Sequence, residues 1–190
     1  PLIDLKIGGG TAERTFQMSR YLAQQKNVQC IVLSLDIDAS VARSRALHPA
    51  RIVTLPCLWK RFYLPRGGWQ TIVCLVAQAD VIHLMGHWSV LNFMVYLAVR
   101  RARKPYVVCP AGALPIFGRS TMLKHCYNFF AGHAIIRNAS AWIAVTTSEL
   151  PHFAQYSIET TRVVVIPNGV NAADFPLIDP QTFLVNHRLG

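Results

Sequence analysis

The chain has 190 residues, of which 52% are hydrophobic and 15% are charged, so it can bury the core of one domain or of one lobe of a two-lobed protein. This composition excludes a disordered protein. Its formal net charge of +10 favours an anionic partner, whether nucleic acid, phosphorylated small molecule or anionic membrane. The five cysteines are widely spaced without a Cys-x-x-Cys pair, which indicates reduced, buried thiols in a cytosolic protein.

Three consecutive glycines lie near the amino terminus, directly before an amphipathic helix predicted from Thr11 to about Lys26. Glycine permits positive φ and close approach of a ligand, and the unpaired N–H groups at a helix start attract a phosphate. In the alternative interpretation, the glycines form only a flexible turn capped by Thr11, and Glu13 supplies the first-turn negative charge itself.

Apolar runs then alternate with helical patterns along the chain, although residues 39–50 are weakly patterned. This alternation predicts an α/β fold, a Rossmann-like, doubly wound, mainly parallel sheet with helices on both faces. Strands are predicted at 29–35, 51–55, 80–84, 106–109, 141–146 and 162–166, and further helices at 69–79, 90–103, 121–138 and 148–155. Ligands of such sheets bind beyond the carboxyl ends of the strands. The groups gathered there would be the Gly8 loop, Asp36, 83–89, 111–118, 147–149 and Asn168.

Two segments raise the question of a membrane. Aromatic and basic residues alternate from Trp59 to Arg66, and such a segment, if exposed, suits a membrane surface or a charged ligand; the alternative is an ordinary loop with one packed aromatic residue. Residues 81–99 contain no Lys, Arg, Asp or Glu, as a membrane span would. We interpret this window instead as strand, turn and helix, because polar and glycine residues interrupt it at His83, Gly86, His87, Ser89 and Asn92.

Five motifs, in this order, resemble the amino-terminal half of a family 4 glycosyltransferase. They cover about residues 5–175 and end in Ile-Pro-Asn-Gly-Val. The motifs are the Gly8 to Arg14 stretch, Asp80 to His83 with Gly86 and Trp88, Tyr106 to Val108 before Pro110 and Gly112, Thr147 to Glu149, and Val165 to Asn171.

The resemblance implies one lobe of a GT-B architecture, in which two Rossmann-like lobes face each other across a cleft. The amino-terminal lobe of such enzymes mostly holds the acceptor, and the carboxy-terminal lobe holds the nucleotide-sugar donor. We therefore expect residues 1–171 to form the acceptor-side domain and residues 172–190 to be a linker toward a donor-binding domain absent from this chain. The start at Pro1 fits a processed or excised fragment, and we expect the lobe alone to be inactive. The first strand of the lobe would be short, with only Leu2, Ile3 and Leu5 available.

The same resemblance implies roles for particular residues. His83 and His87 are the candidate catalytic residues. The candidates for binding donor phosphate and acceptor are Gly8, Gly9, Gly10, Thr11, Glu13, Ser148, Glu149 and Asn168. The N–H groups of the glycine stretch would stabilise charge that develops on the leaving group. Two positions depart from the family pattern, since Met85 and Ala111 stand where polar residues are common.

Structural roles are the alternative for three of these positions. His83 could be a core histidine bonded to the backbone, Glu149 a first-turn acid that favours its helix dipole, and Asn168 part of a turn. No His, Asp or Cys cluster has the spacing of metal ligands. We therefore expect neither a metal nor a cofactor, with the nucleotide sugar as substrate.

The expected activity is metal-independent hexosyl transfer, with retention of configuration, from a nucleotide sugar to a saccharide or lipid-linked acceptor. We expect it to serve cell-surface polysaccharide or glycoconjugate synthesis, in the cytoplasm or peripherally on the inner face of the membrane.

A nicotinamide dehydrogenase is the first alternative, but Glu13 stands where its third glycine belongs and would repel a pyrophosphate. A basic nucleic-acid-binding module is the second alternative, but the basic residues of this chain are dispersed along the sequence and no nucleic-acid recognition motif is present.

Overall fold

The computed structural model describes residues 5–37, 41–60, 63–118 and 120–170. Helices and strands alternate through most of these ranges. In chain order they are α1 (Leu5–Ala23), β1 (Ile31–Asp36), α2 (Val41–Ala46), β2 (Arg51–Trp59), β3 (Leu64–Pro65), α3 (Trp69–Gln78), β4 (Ile82–Met85), α4 (Val90–Ala102), β5 (Tyr106–Cys109), α5 (Thr121–Tyr127), a π-helical turn (Asn128–Gly132), α6 (His133–Arg137), β6 (Ala141–Ala144), α7 (Leu150–Ala154) and β7 (Val163–Val165). Short 3-10 turns at Thr147–Glu149 and Thr160–Arg162 precede α7 and β7.

The strands form two sheets. β1 pairs in parallel with β2, which pairs antiparallel with β3, whereas β4, β5, β6 and β7 form a four-stranded parallel sheet. The predicted Rossmann-like α/β fold with a mainly parallel sheet is confirmed. One detail differs from the sequence prediction, since Leu5 begins α1 instead of belonging to a first strand. Leu2 and Ile3, the other residues of that expected strand, lie outside the described residues.

The hydrophobic core has a large and a small part. The large part joins α3, α4, α6 and α7 to the four-stranded sheet and to β1 and β2, with fully buried side chains such as Ile72, Val99 and Phe153. The small part joins α1 to β1 through Phe16 and Val32. Burial of each such side chain stabilises the fold by about 1.5 to 3 kcal/mol.

The polar residues of the window 81–99 hold the turn between β4 and α4. Ser89 caps α4, its Oγ accepting a hydrogen bond from the Asn92 N–H at 3.4 Å. The buried Asn92 amide donates to the carbonyls of Met85 and Gly86 at 3.0 and 3.2 Å. The predicted strand, turn and helix are therefore confirmed, and no helix in the described ranges is long and apolar enough to cross a membrane.

Three observations go beyond the sequence analysis or differ from it. The weakly patterned residues 39–50 include α2, a helix of 6 residues that is too short to show a helical period. β2 runs on to Trp59 and turns into an antiparallel hairpin, closed by a hydrogen bond of 2.7 Å from the Arg66 N–H to the Pro56 carbonyl. The cysteines are all free, but Cys74 and Cys126 are exposed, since both lie on outward faces of their helices.

A nearly continuous helix from Thr121 to Arg137 crosses the four-stranded sheet, as predicted. Its centre is the π-helical turn Asn128–Gly132, and π turns often occur at functional sites. Two aromatic side chains anchor its carboxy-terminal part to the sheet: the Tyr106 hydroxyl donates to the Ile135 carbonyl at 2.7 Å, and Trp142 Nε1 donates to the Ile136 carbonyl at 2.8 Å.

Candidate functional site

The glycine stretch forms a kink inside α1. Gly9 has φ 52° and ψ −143°, a conformation that strongly favours glycine. Gly9 and Gly10 are exposed, and a Cβ atom added at either would meet no atom within 4 Å. The expected loop ahead of a helix starting at Thr11 is thus replaced by a kinked helix. Its bend still leaves room for a ligand against the backbone.

The ends of β4 and β5 lie against the start of α1. Gly86 has φ 73°, and a Cβ atom added there would lie 4.0 Å from Thr11 Cγ2. The Gly86 N–H donates to the Cys109 carbonyl at 2.9 Å. The glycine stretch and the end of β4 therefore meet at the carboxyl edge of the parallel sheet, where ligands of such sheets bind.

Arg14 connects three parts of this edge, although only 7% of its surface is exposed. Its Nη1 donates to Asn168 Oδ1 at 2.8 Å. Burial raises the pKa of the Cys109 thiol, and the nearby Arg14 guanidinium opposes that rise. Its buried Nε has no hydrogen-bond partner among the described residues. Helical periodicity placed Arg14 on the polar side of α1, and sequence reasoning missed its burial because the strand ends cover that side.

His83 extends from β4 toward Arg14. Burial, with the Arg14 charge as the second cause, lowers the pKa of His83 to about 4, so its imidazole is neutral at pH 7. Its buried Nε2 has no hydrogen-bond partner within the described ranges. This nitrogen therefore carries no backbone hydrogen bond, unlike the histidine of the alternative interpretation, although it is closed off from solvent.

His87 lies in different surroundings and is 3% exposed. Its Nε2–H donates to Asn128 Oδ1 at 2.9 Å, and the rings of Trp88, Tyr127 and Tyr156 surround it edge-on at 4.5, 5.6 and 5.7 Å. Burial lowers its pKa to about 4, against the opposing effect of the Asn128 hydrogen bond. This burial disfavours direct contact with a substrate.

The two acidic candidates differ in their partners. Glu13 accepts hydrogen bonds from Arg43 of α2 and from Gln17, the latter at 2.7 Å, so its carboxylate is engaged on the α2 side. Glu149 is 8% exposed, its Oε1 accepts from the Val145 N–H at 3.3 Å, and its charge acts on the Cys109 thiol. Glu149 therefore lies close to the groups around Arg14.

Ser148 and Asn168 are exposed, as Gly9 and Gly10 are. The Ser148 hydroxyl lies 2.7 Å from that of Thr146, and Asn168 accepts from Arg14 as described above. The structure thus brings Thr11, Arg14, His83, Glu149 and Asn168 to one edge of the sheet.

Two cavities border this region. One, of about 500 Å³, lies between α1 and the segment after β7 and is lined by Arg14, Tyr21 and Gly169. The other, of about 510 Å³, is lined by Asn128, Tyr156 and neighbouring side chains. Both volumes suit a small organic ligand. No group of three His, Cys, Asp or Glu side chains in the described part of the chain could hold a metal ion.

A mainly parallel α/β sheet with polar groups gathered at its carboxyl edge defines a Rossmann-like ligand-binding domain. Residues 8–174 match the model of Glycosyltransferase Family 4, and the chain belongs to this family. The resemblance noted from the five motifs is confirmed, in place of the dehydrogenase and nucleic-acid-binding alternatives. No curated protein sequence matches the chain significantly.

The fold is also that of crystal structures of the Anabaena protein HepE. The structure in complex with UDP and glucose has a TM-score of 0.67 at 18% identity, and the match covers 95% of this chain and 46% of that one. The complex with UDP-glucose gives 0.68 at 16% identity, with the same two coverages. The chain thus spans less than half the length of HepE, and these matches support assigning it one lobe of a GT-B fold.

Lowering the pH should destabilise the protein through His83 and His87. Both have a folded-state pKa of about 4, against an ordinary value of 6.5. Their neutral forms therefore contribute stability that is fully present above pH 6.5 and is lost as the pH falls toward 4. Each contributes a slope of up to about 1.4 kcal/mol per pH unit. Urea unfolding between about pH 7.5 and 4.5 measures the total.

Variants separate the contribution of the two histidines to this pH dependence from that of carboxyl groups, which titrate in a similar pH range. His83→Gln and His87→Gln should each flatten the dependence of unfolding free energy on pH, and the double variant should flatten it further. An unchanged slope in the double variant would contradict the assignment of this pH dependence to the two imidazoles.

Proposed function

We propose that this chain is the acceptor-side lobe of a retaining, metal-independent glycosyltransferase. The enzyme would move a hexosyl group from a nucleotide sugar to a saccharide or lipid-linked acceptor in cell-surface polysaccharide or glycoconjugate synthesis. The family 4 match over residues 8–174 carries the proposal. The polar groups at the carboxyl edge of the sheet support it.

The donor diphosphate would lie against Gly9 and Gly10. Their backbone is exposed, no atom lies within 4 Å of a Cβ atom added at either residue, and the buried Arg14 supplies positive charge on the same helix. Transfer breaks the bond between the sugar carbon and the diphosphate, whose oxygen gains negative charge as the acceptor oxygen bonds to that carbon. Donors aimed at this oxygen would stabilise the transition state.

The remaining candidates would divide between substrate contact and support. The unpartnered Nε2 of His83 is suited to hydrogen-bond a sugar hydroxyl. Gly8, Thr11, Glu13, Ser148, Glu149 and Asn168 stay in the proposed binding set. His87 would act indirectly, because it holds Asn128, whose Nδ2 donates to the Tyr156 hydroxyl at 2.8 Å in the wall of the second cavity.

The donor site would be completed by a second lobe. In this proposal residues 1–171 form the acceptor-side domain and residues 172–190 lead toward the donor-binding domain. The HepE structures contain UDP and UDP-glucose, which makes UDP-sugars the first donors to test. We place the enzyme in the cytoplasm, with peripheral attachment to the inner face of the membrane, a location that the +10 charge favours.

This function can be tested by measuring the nucleoside diphosphate that the whole protein releases from a nucleotide sugar. With a panel of nucleotide sugars and saccharide or lipid-linked acceptors, we expect acceptor-dependent release that survives EDTA, and a product with the donor's anomeric configuration by NMR. We expect no turnover from the 190-residue chain alone. Turnover by that chain would contradict the division into two lobes, and an inverted product would contradict retention.

A further inference from the structure

The outer face of the helix from Thr121 to Arg137 carries large apolar side chains in solvent. Met122, Phe129 and Phe130 are 80%, 81% and 78% exposed. The two phenylalanine rings lie 5.0 Å apart and edge-on. Leu123 and Phe117, at 53% and 67% exposure, extend this surface at the helix start. We call these five side chains the aromatic face. Adjacent side chains of this size and exposure mark a surface that binds something apolar.

Helical geometry explains why these side chains share one side. Positions 122 and 126, 126 and 129 or 130, and 129 or 130 and 133 are three or four residues apart, and these positions are on the side away from the sheet. Their inward neighbours Ala131, Ile135 and Ile136 are buried. The helix therefore lies flat on the domain, and its length of about 25 Å is presented to solvent.

Two cations lie on the same helix as this face. From Val81 to Ser148 the chain has no Asp or Glu but has seven Lys and Arg residues. Lys124 lies beside the aromatic face, with its Nζ 5.5 Å from the Phe117 ring centre, and the exposed Arg137 ends the helix. Aromatic and aliphatic side chains flanked by cations are the pattern of a helix that lies in the interface of an anionic bilayer.

We propose that the aromatic face docks this protein on an anionic phospholipid bilayer. This inference rests on the proposed function and gives its membrane attachment a location, on the helix Thr121–Arg137 and not on the segment Trp59 to Arg66 considered in the sequence analysis. The cavity of about 510 Å³ is lined by Phe129, His125 and His133 of the same helix. A lipid-linked acceptor held in the bilayer would therefore meet the protein beside this cavity.

Vesicle co-sedimentation of the whole protein tests the proposal without requiring turnover. Phosphatidylcholine vesicles with and without phosphatidylglycerol are the probes. We expect binding only to the anionic vesicles, weakened by high salt, and a loss of about tenfold or more in Phe129→Ser/Phe130→Ser. Both side chains are solvent-exposed, so the variant should keep the unfolding midpoint of the wild type.

The matched control is Leu58→Ser/Trp59→Ser, which removes two exposed apolar side chains from the β2–β3 hairpin. We expect it to bind vesicles like the wild type. Loss of binding in this variant, with binding retained in the phenylalanine variant, would overturn the proposal. Loss of dimerisation instead of vesicle binding in the phenylalanine variant would also overturn it, since the face would then join two copies.

The two exposed cysteines allow a second, site-resolved test. Cys126 lies on the helix of the aromatic face and Cys74 on α3. A nitrobenzoxadiazole label on Cys126 in Cys74→Ser should shift to the blue with anionic vesicles, whereas the label on Cys74 in Cys126→Ser should not. Equal shifts at both sites would overturn the docking geometry. Vesicle binding without any glycosyl transfer would instead leave the docking surface standing and contradict the proposed function.

Discussion

Gly132→Ala should destabilise the protein by about 2 to 4 kcal/mol. A Cβ atom at this position would lie 2.1 Å from Asn128 Oδ1 and 2.9 Å from His87 Nε2. Asn128 cannot easily swing away, because its Nδ2 donates to the Tyr156 hydroxyl at 2.8 Å in the buried core. The substitution would therefore break the His87–Asn128 hydrogen bond and leave buried polar atoms unpaired. Alanine's helix propensity, better than that of glycine by about 1 kcal/mol, is too small to compensate.

Urea and thermal unfolding measure this effect. Gly169→Ala is the matched control, because no atom lies within 4 Å of the added Cβ, and its change should stay within about 0.5 kcal/mol. In the background Asn128→Ala, which removes the clashing amide, the additional cost of Gly132→Ala should shrink. Equal unfolding midpoints for Gly132→Ala and wild type would show that the tight packing around His87 is not required.

Arg14→Met should separate activity from stability. The guanidinium is buried, its Nε is unpartnered and it forms no ion pair with a carboxylate among the described residues, so its desolvation is only partly offset. Methionine fills similar space without a charge, and we expect the free energy of unfolding to stay within about 1 kcal/mol. Asn168 would lose its donor, and the proposed phosphate site would lose its charge. We expect kcat/KM of the whole enzyme to fall about a hundredfold, or about 2.7 kcal/mol.

Two further measurements make this prediction specific. The Arg14 charge lowers the pKa of His83, so an NMR titration of Arg14→Met should show that pKa rising from its wild-type value of about 4. Arg101→Met, at an exposed position of α4, removes the same charge far from these contacts and should leave kcat/KM within about twofold. If Arg14→Met lowered the free energy of unfolding together with kcat/KM, the role of Arg14 would be structural only.

Local sequence patterns were sufficient to predict an element where its own residues decide its conformation. The predicted strand 106–109 coincides with β5, because it is a short apolar run buried in a parallel sheet. The start of α4 follows from Ser89, whose side chain satisfies a backbone N–H of the first turn. The polar residues that interrupt the window 81–99 identified a turn because such groups need hydrogen-bond partners when buried.

Predictions failed where a neighbouring element decides the outcome. Nothing in the local sequence distinguishes Arg14 from the exposed polar residues of α1, and only the packing of strand ends against the helix buries it. The resemblance to family 4 made His87 a candidate catalytic residue, and such a residue must touch the substrate. The π-helical turn and Tyr156, distant in sequence, enclose it instead.

The sequence by itself determined the α/β class, the order of most elements and membership of a glycosyltransferase family, because periodicity and motif spacing are properties of a linear chain. The tertiary structure alone decided which polar groups share the carboxyl edge, that the glycine stretch is a kink within α1, and that an apolar face of the helix Thr121–Arg137 stays in solvent. These features depend on which surfaces other elements cover. Burial sets the charge state of a histidine, and exposure leaves a phenylalanine able to bind a partner.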